Sequence, residues 1–320
     1  MKITKTIRNN KYLSCIFGSV LDLRFKYLAR RDPRKNANRV YRNVFNRDIN
    51  WQNPTNLIEK IYWLQLFTDT NLWTLCADKY KMREYVISRL GSDAILPKNY
   101  GHWKNAEDID YSKLPESFVL KTTQGCGLVL IVHDKAKLDI RNANNTLNKW
   151  LKIKYGFTDA QVHYSRIKPC IIAEELLVDK NKPGLPLVDY KVWCFHGNPE
   201  YILIVYDRKI GSGYKLSAYD LDWNNISEKV LYKKNKHYGG KSFDRPVNLK
   251  EMLRCAKLLS RDFVEVRVDF YEVNGNLYVG ELTFTTGYGY HSYSYYKYLG
   301  SKIDLSRVKM IDGINKPPRL

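Results

Sequence analysis

The chain has no pair of cysteines spaced as C-x-x-C; its six cysteines, at positions 15, 76, 126, 170, 194 and 255, stand singly. Scattered thiols suit a reducing compartment and argue against a disulfide framework. The six histidines form no H-x-x-x-H and no Cys/His cluster, which argues against a structural zinc site. No apolar run reaches the ~18 residues that span a bilayer. The most apolar piece near the start, Tyr12 to Val20, is short, lacks a cleavage site and runs into charged residues, so it does not read as a secretory signal. The expected location is therefore the cytosol. Internal repeats and low-complexity tracts are missing, and so is G-x-x-x-x-G-K-[ST], which leaves a P-loop without support.

Acidic residues are outnumbered: 33 Asp+Glu against 53 Lys+Arg, a net charge of +20. Such a surplus favours an anionic partner, whether nucleic acid, an anionic membrane surface, or phosphorylated and acidic small molecules. No RRM, KH or zinc signature selects nucleic acid. The basic run Tyr27 to Lys35 reads either as a peripheral contact for anionic lipid at the inner face of the membrane or as a solvated face. Hydrophobic residues make up 44% of the 320, enough for a real core in one large domain or two ordinary ones.

Residues 1 to about 75 are basic and read as helical. Asn53-Pro54-Thr55 opens a pattern in which Leu57, Ile58, Ile61, Tyr62, Leu64 and Phe67 recur at helical spacing. Asp78 is the expected N-cap of the next helix, closed by Gly91 and Pro97. Ser117 to Lys121 reads as a strand entering the glycine loop Thr122 to Gly127, with Leu128 to Val132 returning. Glycine at 125 and 127 would let backbone N–H groups lie over phosphates. A short amphipathic helix is expected at Leu147 to Lys154. Pro169 to Leu177 is an apolar strand ending in Glu174 and Glu175. Val188 to Phe195 and Tyr201 to Val205 form a hairpin, followed by a polar, loop-rich stretch from Arg208 to Lys241. Leu249 to Phe263 is a helix. Helices and hairpins are interspersed, which predicts an α+β fold with mainly antiparallel sheets.

The most informative stretch is Val264 to Phe284. Two runs of β-branched and aromatic residues flank Asn274-Gly275-Asn276, a hairpin pattern. Arg267 and Asp269 share one face of the first strand, and Glu281 and Thr283 share one face of the second. Two carboxylates and a guanidinium facing a common space would suit a divalent cation and an anionic ligand. The alternative is an ordinary hairpin with a structural Arg–Asp pair. Register decides between them. A plain two-residue loop places Asp269 opposite Gly280 and turns Glu281 to the other side. A three-residue loop, or one bulge, makes Asp269 and Glu281 cross-strand partners, and that arrangement is the expectation here.

Lys79 ahead of a helix, Lys121 ahead of the glycine loop, Glu174-Glu175 at a strand end and the Arg267-x-Asp269…Glu281 hairpin occur in an order that resembles the ATP-grasp superfamily. The hairpin is similar to the metal hairpin of D-alanine–D-alanine ligases. More closely, the chain resembles the TupA-like ATP-grasp family of bacterial polysaccharide biosynthesis. The resemblance runs from Asn53-Pro54 through Asp78-Lys79-Tyr80, Arg83-Glu84-Tyr85-Val86, Asp189-Tyr190-Lys191 and Val266-Arg267-Val268-Asp269-Phe270-Tyr271 to Gly280-Glu281-Leu282-Thr283-Phe284. It implies two α+β subdomains gripping ATP: a helical region at 1–75, an N-terminal subdomain with a glycine-rich lid at 76–168, and a C-terminal subdomain with the metal hairpin at 169–320.

It further implies that Lys79 and Lys121 contact ATP phosphates, that Gly125 and Gly127 form the lid, and that the hinge after Glu174 reads adenine through backbone groups from Glu175 to Leu177. Asp189 would hold the ribose, and Lys191 a phosphate. Asp269, Glu281 and Thr283 would hold Mg²⁺, with Thr283 standing where many ATP-grasp enzymes carry Asn. Arg267, Lys121 and Lys191 would act on the transferring phosphoryl group. The implied activity is an ADP-forming C–N ligase that joins an amino acid or amine to a uronic acid or other carboxylate of a polysaccharide precursor. Tyr288, Tyr290 and His291 are substrate candidates by position. Rival readings are a glycosyltransferase, from the tripeptide Asp220-Leu221-Asp222, a sugar kinase using the same site, and a non-catalytic polyanion binder.

Overall fold

The computed structural model describes residues 23–209 and 213–311. The apolar piece Tyr12 to Val20 lies outside the described residues. Residues 23–31 are helical, and α1 (Pro33–Phe45) follows, its cap made by Asp32 accepting from the Lys35 N–H. Helix α2 (Leu57–Phe67) starts on a capping box between Asn56 and Glu59. Glu59 is fully buried, and Arg47 neutralises it at 2.7 Å. Short α3 (Asn71–Ala77) leads to α4 (Met82–Leu90). Asp78 caps a turn before α4, accepting the N–H of Tyr80 and Lys81.

The first sheet is antiparallel, in the order β1 (Asn99–Trp103), β4 (Ile171–Glu174), β2 (Phe118–Thr122), β3 (Val129–Val132). Helix α5 (Ile140–Leu151) packs Leu147 against Phe118, Leu120, Ile171 and Ala173 in a separate small core. It begins seven residues ahead of the expected Leu147, because Asp139 caps it through the Asn142 N–H and polar Asn142 to Asn145 hide the helical period. Strand β4 joins this sheet although it follows residue 168, so the sheets divide after Glu174.

The second sheet is antiparallel in the order β7 (Gly213–Tyr219), β6 (Asn198–Lys209), β5 (Asp189–Phe195), β8 (Glu265–Val273), β9 (Asn276–Thr283). The polar stretch after Arg208 is thus partly strand: β6 continues to Lys209 and β7 returns beside it. The polar residues that follow it hid it; buried Ser217 donates to the Lys241 carbonyl at 2.7 Å. After the one-turn helix α6 (Ser227–Val230), α7 (Leu249–Ser260) covers the sheet with Met252, Cys255, Ala256 and Leu259. Helix α8 (Tyr293–Ser301) lies on α2. The N-terminal helices share the larger core, where Tyr41, Trp51, Leu57 and Tyr62 join Val192, Trp193 and Phe270.

The β8–β9 hairpin has a two-residue loop, Val273 pairing with Asn276. Asn274 and Gly275 have φ of 51° and 79°, left-handed values that Asn and Gly tolerate best. The register then breaks: Phe270 pairs with Val279 but Asp269 pairs with Glu281. Gly280 is the extra residue of a bulge. Glu281 therefore shares a face with Asp269.

Candidate active site

Three neighbouring strands build the site row by row. Lys191 on β5, Asp269 on β8 and Glu281 on β9 are register partners, and Trp193, Arg267 and Thr283 form the next row. Arg267 straddles Asp269 with two bonds, Nε at 2.6 Å and Nη2 at 2.8 Å. Its Nη2 also reaches the Thr283 hydroxyl at 3.1 Å and Glu281 at 3.5 Å, and Nη1 reaches Thr286 at 3.1 Å. Lys191 closes on the other side of Asp269 as an ion pair, with Asp189 3.7 Å away. The Thr283 hydroxyl donates to Glu281 at 3.0 Å.

The two carboxylates differ. Asp269 is 2% exposed and both its oxygens are taken by cations. Burial pushes its pKa up, against the pull of Arg267 and Lys191. The Glu281 side chain is 37% exposed. Burial opposes its charge, but Lys191, Lys79 and Arg267 outweigh it and hold the carboxyl at about 2. An ionised, accessible carboxylate beside a hydroxyl and a second carboxylate is a hard oxygen donor set that fits Mg²⁺, which takes one or two carboxylates and fills its shell with phosphate and water. Among the described residues no group of three or more His, Cys, Asp or Glu forms a complete protein cage.

The glycine loop 123–127 is tied to this row through Lys79, which is within electrostatic reach of Glu281. Lys79 Nζ donates to the Gly125 carbonyl, and its N–H to the Thr123 carbonyl at 3.3 Å. Burial lowers the Lys79 pKa, while Glu281 opposes that. Gly125 has φ 84°, and a Cβ there would fall 2.4 Å from the Tyr155 ring, so only glycine fits. Gly127, φ 78°, has open space around it. Lys121 is ion-paired with Glu174, which Arg83 approaches at 3.5 Å. Lys121 and Glu174 are thus brought together.

The Glu175 N–H donates to the Lys98 carbonyl at 2.9 Å, and its carboxylate accepts from the Lys98 N–H at 3.3 Å. Edge strand β1 thus occupies the backbone donor of Glu175. Among the described residues no main-chain bond engages Leu177. Asp189 is buried and accepts from Arg208 at 2.6 Å. Arg208, Thr286 and Arg83 were not singled out for the site; Arg208 fell in the supposed loop, and Arg83 stands within Arg83-Glu84-Tyr85-Val86 without a role of its own.

Two other candidates find structural employment. The Asp220 carboxylate accepts the N–H groups of Asp222 (3.1 Å) and Asn224 (2.7 Å) and the Asn224 amide (2.8 Å), so it closes its own turn. Tyr288 and Tyr290 bond through their hydroxyls to Tyr62 and Tyr214, and His291 Nε2 to Tyr201, inside the aromatic packing.

Two antiparallel sheets with helices, one carrying a glycine loop bonded by Lys79 and the other paired acids and cations, make an ATP-grasp fold. The chain belongs to the TupA-like ATP-grasp family, whose model matches residues 59–304. A search of curated proteins gives no match. Among solved structures, D-alanine–D-alanine ligase from Bacillus anthracis complexed with ATP is similar at 17% identity and a TM-score of 0.41, over 68% of this chain and 58% of that one. Phosphoribosylamine–glycine ligase from Thermotoga maritima is similar at 10% identity and 0.41, over 67% and 49%. The ATP-grasp ligase PsnB, complexed with a phosphomimetic variant of its minimal precursor, Mg and ADP, follows at 11% and 0.39, over 73% and 58%. This chain therefore spans between about half and three fifths of those proteins.

Proposed function

We propose that this protein is an ATP- and Mg²⁺-dependent ligase that joins a carboxylate to an amine through an acyl phosphate, the carboxylate being a uronic acid or similar group of a bacterial surface polysaccharide precursor. One observation carries the reading: the bulge at Gly280 that sets Glu281 beside Asp269, with Lys191 and Arg267 on the same face. Glu281, Asp269 and Thr283 would hold Mg²⁺, which supplies charge neutralisation between the phosphates when bound. Lys79 and Lys121 would bind phosphate oxygens from the lid side, Leu177 the adenine edge, and Asp189 the ribose. The three-part division at 1–75, 76–168 and 169–320 belongs to the same reading, with β4 moved to the lid unit.

The acceptor carboxylate would attack the γ-phosphorus; the bond from that phosphorus to the bridging oxygen breaks, and ADP leaves. The amine nitrogen then attacks the acyl carbon, inorganic phosphate leaves, and the nitrogen gives up its proton. Arg267 stabilises charge on the transferring group because it is rigidly held by Asp269 before substrate arrives. Closure of the 123–127 lid would exclude water, which otherwise hydrolyses the acyl phosphate. Among the described residues no helix is long and apolar enough to cross a membrane; we place the protein in the cytoplasm, its basic N-terminal helices near the inner membrane face where such precursors are assembled. The test is ADP release from ATP and Mg²⁺ with uronic acids crossed against amino acids and amines, the product read by mass spectrometry. An amide product supports it; no ADP with any pair and no ATP binding by calorimetry defeats it.

A further inference from the structure

Arg208 reaches the site through a backbone irregularity. Val205 pairs with Asp189, so the two share a face, and regular alternation would put residue 207 on that face and residue 208 behind it. The register breaks between Tyr206 and Lys209, and Asp207 takes φ of 51°. A bulge re-aims the side chain that follows it. Here it sends the Arg208 guanidinium onto Asp189, at 2.6 Å, with the Tyr214 ring 5.5 Å away. A left-handed non-glycine residue is strained, and such strain persists only where the surroundings enforce it.

The two partners are unequal. The Asp189 side chain is 5% exposed and that of Arg208 is 44% exposed. The carboxylate is further held by Lys191 at 3.7 Å, while the arginine is the more exposed partner, within electrostatic reach of Cys126 in the glycine loop. Arg208 holds Asp189 Oδ2, so ribose hydroxyls that bond to both carboxylate oxygens must displace it. The displaced guanidinium then faces the lid, along the path of a polyphosphate, whose oxygens its planar fork matches.

We propose that Arg208 reads the length of the nucleotide: its pair with Asp189 closes the empty site, and only a nucleotide with β- and γ-phosphates regains, at the guanidinium, what opening that pair loses. The inference rests on the ATP-ligase reading of the site. It makes the effect of one substitution opposite in sign for two ligands. For AMP, Arg208 is a competitor; for ATP, it is a ligand.

The experiment is calorimetric titration of the full chain and of Arg208→Ala with AMP, ADP and ATP, each with Mg²⁺. Arg208→Gln, which keeps the methylene stem and a polar end but no charge, runs in parallel, and melting curves report folding. The expected result is ATP bound about tenfold more weakly or worse, as for loss of a charge-assisted bond, with AMP bound more tightly; AMP unchanged overturns the claim that the pair closes the empty site. If AMP and ATP weaken together, Arg208 merely braces Asp189 and the proposal is overturned. No change with either ligand overturns it too. Failure of the wild-type chain to bind any adenine nucleotide defeats the ligase reading itself, which is a different result from a wild type that binds ATP and a variant that treats both ligands alike.

Discussion

Replacing Arg267 by methionine tests the electrostatic design of the site most directly. The side chain is 9% exposed and bonds to Asp269, Glu281, Thr283 and Thr286. Methionine preserves much of the volume and removes every one of those bonds. Asp269 is then left 2% exposed with Lys191 as its remaining cation. Breaking a buried pair from one side costs about 3–5 kcal/mol, because the other charge stays behind. That is a large part of the ~5–15 kcal/mol that holds a domain together. Asp269→Asn should be costly for the mirrored reason, with Arg267 and Lys191 left facing a neutral amide. The double variant Arg267→Met/Asp269→Asn should lose less than the two singles added together, by about 2–3 kcal/mol. Urea unfolding followed by tryptophan fluorescence is the assay; Trp193, the register partner of Arg267, is a reporter at the spot. A single variant that costs under about 1 kcal/mol, or strictly additive losses, would refute the claim that this row is a coupled buried network.

Glu281→Gln keeps the shape and the Thr283 contact but removes the accessible charge; ADP release should fall at least about 100-fold, while ATP affinity measured without metal changes by less than about threefold. His163 and His291 are buried and held neutral by burial, each with its pKa pushed down to about 3. An unfolded histidine titrates near ~6.5, so the unfolded chain takes up protons that the native one refuses. Stability should therefore fall as pH drops from about 6.5 toward 4, by up to about 1.4 kcal/mol per pH unit per histidine, and His163→Gln with His291→Gln should flatten the melting-temperature profile. Asp220→Ala should leave nucleotide-dependent activity unchanged and cost about 1 kcal/mol, since that carboxylate closes a turn; a large loss of activity would revive the glycosyltransferase reading.

Much of this protein is local information. The helix at 57–67 follows from its apolar spacing and the Asn56…Glu59 box, and the hairpin at 265–283 from alternation around Asn-Gly. The antiparallel α+β class follows from hairpins interspersed with helices. The pairing of Lys121 with Glu174 is different, because the two lie on separate strands that only the sheet order β1-β4-β2-β3 makes neighbours. Sequence alone also missed β7, a strand inside a polar stretch that pairs with β6 and whose Ser217 and Tyr219 hydroxyls bond to the Lys241 carbonyl. That the Glu175 N–H bonds to the edge strand through Lys98 was likewise not legible in the sequence.

What the residues by themselves determined is which side chains alternate together: Arg267 with Asp269, Glu281 with Thr283. Which face each pair shows was left to a single extra residue. A strand has period two, so the bulge at Gly280 turns Glu281 toward Asp269, and the break after Tyr206 turns Arg208 toward Asp189. The isolated glycine at 280 is a weak bulge signal, and the break after Tyr206 has none; each bulge is set by the packing of both sheet faces at once, and that balance exists only in the folded chain.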